Sequence, residues 1–246
     1  GNVGIGTDNP TKKLQIYDST ESVALYGSAS RIAILTATVH ILLRSAFMPL
    51  VYVRYKDTQT QQDISTIFSI VTVLGVITIS IISIFSEEIV RLILGENYLK
   101  SSSIIALISI SLILMNSYFY APGLAIAKKT KMIALISFVC AIVNILGNLI
   151  LIPLFSIKGA AISSVIASII LVAMYFIFGQ REYKINYEFK FILSVLLFWL
   201  IWLMLIETLA EGYLLKFILT GVAVIFTLFF SRIKIKKVLD SLKNNF

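Results

Sequence analysis

The chain has 246 residues, 58% of them hydrophobic and 14% charged, with a mean hydropathy of +0.93, whereas a water-soluble domain carries about a quarter charged residues. That much apolar surface cannot be absorbed in a soluble core, which excludes a water-soluble globular protein. The net charge of +8 would suggest nucleic acid in a soluble protein, but here Lys and Arg sit between apolar runs and at the C-terminus. That distribution sets membrane topology and implies no nucleic-acid partner.

Residues 1–20, GNVGIGTDNPTKKLQIYDST, favour turns and lack an apolar run, and are expected to form a non-membrane N-terminal segment. They have no signal-peptide core. GNVGIG has neither the flanking strand and helix nor the Lys-Ser/Thr ending of a phosphate loop.

From about Leu25 the pattern is helical and apolar, in runs of the roughly 20 residues that cross a hydrocarbon core. The expected fold is an all-α membrane protein, a polytopic bundle of about seven transmembrane helices. Residues 22–235 form the transmembrane region and 236–246 a basic cytoplasmic tail.

The first span, 27–53, carries Arg31, His40, Arg44 and Pro49. The second, 63–85, starts at Asp63 as N-cap. The SEEIVRLILGENY stretch after it alternates apolar and charged residues as an interfacial helix does, with Gly95 as its stop. Spans follow at 102–126, 132–154, 159–178, 191–209 and 212–231. In the fifth, Ala160, Ser164 and Ser168 form a small-residue stripe that lets another helix approach closely. The only cysteine, Cys140, lies within an apolar run as a small packed side chain.

Alternate loops and the C-terminal tail place thirteen Lys and Arg on one side and four on the other, leaving aside the first twenty residues. The richer side is expected to be cytoplasmic, with the C-terminus inside and the first span entering from outside. Seven spans with that entry suggest earlier spans that this chain lacks.

One His, one Cys and no carboxylate cluster within the spans give no enzyme constellation, no metal site and no cofactor. The polar residues at membrane depth carry the information, since charge there costs about 2.5–3.5 kcal/mol on insertion scales. His40 and Arg44, four apart, share a face, and Arg31 lies on another near the outer end. A cation facing an aqueous cavity would suit an anion, especially a pyrophosphate, because guanidinium pairs with phosphate oxygens in a fixed fork. The alternative is that Arg44 and Arg31 snorkel to the headgroups on their respective sides. Asn116, Asn144 and Asn148 are further substrate-binding candidates, or else hydrogen-bond between helices. Tyr118, Tyr120, Pro122, Trp199 and Trp202 read as interface anchors, kinks or lipid-facing bulk.

Gly1–Thr7 with Pro10, Lys13 and Leu14 resembles a short repeat of phage tail-fibre and related trimeric surface proteins. Val23–Leu35, Pro49, Phe85–Tyr98 and Asn144–Ser168 resemble, in order, the C-terminal half of Wzx-like O-antigen and polysaccharide flippases. These belong to the multidrug/oligosaccharidyl-lipid/polysaccharide exporter superfamily. The most specific part is Asn144, Pro153 and Gly159-Ala160-Ala161, although Ser156 stands where such proteins often have Gly.

The resemblance implies one lobe of a two-lobed transporter in the bacterial inner membrane. Its substrate would be an undecaprenyl-pyrophosphate-linked oligosaccharide, moved between leaflets during surface polysaccharide and lipopolysaccharide biosynthesis. Its partners would be membrane lipid and a missing N-terminal half, or a second copy of the chain. A small-molecule exporter of the same superfamily and a non-transporting membrane scaffold or truncated fragment are the rival readings.

Overall fold

A computed structural model of the protein describes residues 10–209 and 212–243, and among them it is all-helical, without a strand. The helices are α1 (Pro10–Arg54), α2 (Thr58–Ile84), α3 (Ser86–Ile93), α4 (Ser102–Ser117) and α5 (Gly123–Ile126). They continue with α6 (Thr130–Phe155), α7 (Ile157–Glu182), α8 (Phe189–Leu209) and α9 (Tyr213–Lys243), and 3₁₀ turns cover Glu96–Ser101 and Tyr118–Tyr120. Six helical stretches are long and apolar enough to cross a membrane. The seventh expected span corresponds to the shorter apolar stretch Leu214–Phe229 inside α9. The chain is a polytopic helical bundle of the multi-pass membrane type.

Several boundaries differ from expectation. Gly1–Thr7 lies outside the described residues, but the chain is helical from Pro10, not from the end of the turn-rich segment. Proline at a helix start loses no bond, and extending an existing helix is cheap compared with nucleating one. The second span begins five residues before Asp63, with Asp57 at the N-cap. The expected span over 102–126 is broken: α4 stops at Ser117, and a 3₁₀ turn leads to Pro122 and α5. Pro122 has no amide hydrogen to extend the helix, which accounts for the break. The C-terminal basic segment is helical to Lys243.

Lipid tails are as apolar as leucine, so the hydrophobic effect does not join these helices; close packing and hydrogen bonds do. Helices α6, α7, α4 and α1 lie side by side in that order, and α2 packs on α1 and α4 and carries α8 and α9. At the α8–α9 contact, Trp199 Nε1 donates to Thr227 Oγ1 at 3.1 Å. Trp199 and Tyr120 are each 1% exposed. Neither is the lipid-facing anchor that its type suggested, because Trp199 finds a buried acceptor and Tyr120 is enclosed with Phe68 and Tyr187.

The basic end of the bundle is stitched by the α7–α8 loop. Tyr187 donates to the Tyr120 carbonyl at 2.6 Å, Tyr183 to that of Tyr55 at 2.8 Å, and Ser65 to that of Asn186 at 2.8 Å. Lys129 pairs with Glu182 at 2.7 Å. Burial raises the Tyr187 phenol well above its ordinary value of 10.0. In the unfolded chain that phenol ionises near pH 10 while the folded chain keeps its proton, so this contribution to stability is intact below pH 10 and is lost as pH rises beyond it. Tyr187→Phe is expected to lower stability in detergent by about 1 kcal/mol and to flatten the decline above pH 10, as read by thermal unfolding across a pH series.

Candidate functional site

The expected site residues separate into distinct places. Arg44, on α1, faces α4: one guanidinium nitrogen donates to Asn116 Oδ1 at 3.0 Å, and the guanidinium carbon stands 3.9 Å from the centre of the Phe119 ring. Asn116 in turn donates to the Leu112 carbonyl of its own helix at 2.8 Å, which fixes the amide with its oxygen toward Arg44. The half-buried cation is held by an amide oxygen and an aromatic face, two neutral partners that accept positive charge.

His40 points elsewhere. It is 2% exposed, and its Nε2 lies 3.1 Å from the Val71 carbonyl, so Nε2 carries the hydrogen and donates to α2. A side chain on Gly75 would meet that ring at 2.9 Å and Ile113 at 3.1 Å. His40 thus fills the gap that Gly75 leaves where α1, α2 and α4 meet. Although it shares a face with Arg44 by spacing, α2 covers it.

Arg31 is exposed and lies off the wall of the cleft between α1, α4, α6 and α7. Asn144 and Asn148 lie in the α6–α7 contact. Ser163 Oγ donates to the Asn144 carbonyl at 2.9 Å, and Asn148 Nδ2 donates to Asn144 Oδ1 at 3.2 Å.

A cleft of about 500 Å³ opens between α1, α4, α6 and α7. Asn144 is the one expected site residue on its wall. Its aliphatic hydroxyls come from Ser30, Ser111, Ser137, Ser164 and Ser168, and Tyr26, Tyr118 and Tyr175 add both aromatic rings and phenol hydroxyls. None of the described residues lining it is charged.

In the small-residue stripe of α7, Ser164 and Ser168 border the cleft, and Ser168 is buried there. The close approach occurs on neighbouring positions, where Gly147 of α6 meets Ser163 and Gly159 meets the backbone at Leu151. Small side chains leave room, and whether a helix or a cleft fills it depends on the partner's shape.

Aromatic rings connect the two places. Phe119, beneath Arg44, stacks on Tyr118 with ring centres 4.1 Å apart, and Tyr118 lies 4.4 Å from Tyr175 at the cleft wall. A cation and an uncharged, hydroxyl-rich cleft thus stand at opposite ends of a short aromatic ladder. Sequence reasoning missed the cleft serines, which look like ordinary membrane-helix residues. The signal available was their recurrence at helical spacing, Ser164 with Ser168 on α7.

The fold and site define a polytopic α-helical membrane protein with an open cleft between its helices that is uncharged among the described lining residues. No protein-family model matches the chain, and no curated protein matches it.

Proposed function

We propose that this protein is a lobe of a flippase for lipid-linked oligosaccharide, taking polyprenyl-pyrophosphate-linked repeat units across the inner membrane. The observation that carries the reading is the ladder from Arg44 through Phe119 and Tyr118 to Tyr175. A guanidinium suits pyrophosphate, and hydroxyl and aromatic side chains suit sugar rings, so the two ends match the two parts of such a substrate. The resemblance of Val23–Leu35 and Asn144–Ser168 to polysaccharide flippases supports the same reading. Arg44 would have to exchange Asn116 for phosphate oxygens as the substrate arrives. The C-terminus would lie in the cytoplasm, on the side of the basic loops.

Transport by alternating access needs two bodies that rock about a site between them. The test is complementation of a flippase-deficient strain matched in sugar specificity, with surface polysaccharide as the readout. The expected result is restoration when the chain is expressed with a separately encoded N-terminal half and none when it is expressed alone. Failure in both arms, with the protein shown to be inserted, would overturn the proposal.

A further inference from the structure

The five cleft serines share a bonding pattern that decides what the cleft recognises. Ser30 donates to the Tyr26 carbonyl at 2.8 Å, Ser111 to Ile108 at 3.0 Å and Ser137 to Ile133 at 3.0 Å. Ser164 donates to Ala160 at 3.0 Å and Ser168 to Ser164 at 2.8 Å. Each hydroxyl has one proton and two lone pairs, and here each proton is committed to the serine's own helix. What these serines offer a ligand is acceptor oxygens.

An acceptor-rich cleft without a cation welcomes groups that donate and disfavours groups that only accept. A neutral sugar ring brings several O–H donors and an apolar face for Tyr118 or Tyr175. A carboxylate brings acceptors only: the phenols of Tyr26, Tyr118 and Tyr175 and the Asn144 amide are donors for it, but no described lining residue offers a counter-charge, so taking it out of water is costly. We infer that the cleft between α1, α4, α6 and α7 binds uncharged, hydroxyl-rich sugar residues and discriminates against uronic acids and other carboxylate sugars. This rests on the flippase reading and narrows its substrate.

Cys140 provides a native reporter, because it is the only cysteine in the chain and lines this cleft. The full chain, in nanodiscs, would be treated with a small methanethiosulfonate reagent in the presence of two probes. One is a polyprenyl-pyrophosphate-linked oligosaccharide of neutral hexoses; the other is the same molecule with one hexose replaced by a hexuronic acid. Binding of each would be followed in parallel by native mass spectrometry.

The neutral probe is expected to protect Cys140 at concentrations on the order of tenfold lower than the acidic one, the penalty of an uncompensated carboxylate. In the S111A/S168A variant, which removes acceptors but keeps the helices, that difference should shrink. Equal protection by both probes would overturn the inference while leaving the flippase reading intact, since both still bind. Binding of neither probe to the folded protein would overturn the flippase reading itself. Cys140 is 8% exposed; should its thiol stay unmodified without ligand, native mass spectrometry alone decides, and equal binding of the two probes there overturns the inference.

Discussion

Gly123→Val is expected to abolish the folded protein, giving no monodisperse species in detergent by size exclusion. Gly123 begins α5 and is buried directly against Gly179 of α7; a side chain there would overlap the Gly179 carbonyl, a backbone group that cannot rotate away. Neither side can yield cheaply. Pro122 and the 3₁₀ turn fix the chain before Gly123, and Gln180, next to Gly179, is tied in both directions to Ile185 at 2.7 and 2.9 Å. Overpacking of a core usually costs about 1–3 kcal/mol, and here backbone opposes backbone without a flexible side chain between. The control is Gly27→Ala in α1, where a methyl group meets nothing within 4 Å. That change is expected to be neutral, or to stabilise by about 0.5–1 kcal/mol by removing a helix-interior glycine. Equal effects of the two substitutions would refute the packing argument.

Asn116→Leu should damage the protein more than the double substitution Arg44→Leu/Asn116→Leu. The single change leaves the Arg44 guanidinium at membrane depth with the Phe119 face but without its oxygen acceptor. A charged donor losing its partner costs about 1–3 kcal/mol. The double change removes the cation with its acceptor and leaves two apolar side chains in an apolar place. Thermal unfolding of the two single variants and the double in one detergent completes the cycle. Additive effects would show that the pair contributes nothing to stability. On the proposed role of Arg44 in holding pyrophosphate, Arg44→Leu is expected to fail in the complementation assay with or without Asn116.

The contrast between those two residues shows where sequence reading succeeds. The spans were legible because lipid enforces length: 63–85 and 132–154 fall within a few residues of α2 and α6. Arg44 and Asn116 could each be singled out, since a polar group at that depth is costly. Their pairing could not, because 72 residues separate them and the register of α1 against α4 is set by packing. His40 shows the reverse error: spacing put it beside Arg44, but only α2 and Gly75 determine that it is enclosed. Trp199 carried the composition of an interface anchor, and its burial depends on Thr227, from a helix later in the chain. The cleft itself is an absence of atoms among four helices, and no local pattern encodes it.

Helices α6 and α7 are joined by Ser156 alone, held at φ 51°, a left-handed conformation that a glycine would adopt more easily. From Met132 to Gln180 the only charged side chain is Lys158, next to that joint. The pair packs along its length as a helical hairpin. A single ammonium group therefore marks the tip of the hairpin, while Lys129, Lys131 and Arg181 stand at its other end. One wall of the cleft is thus a single hairpin, with α6 seated against the helix that carries Ser164 and Ser168.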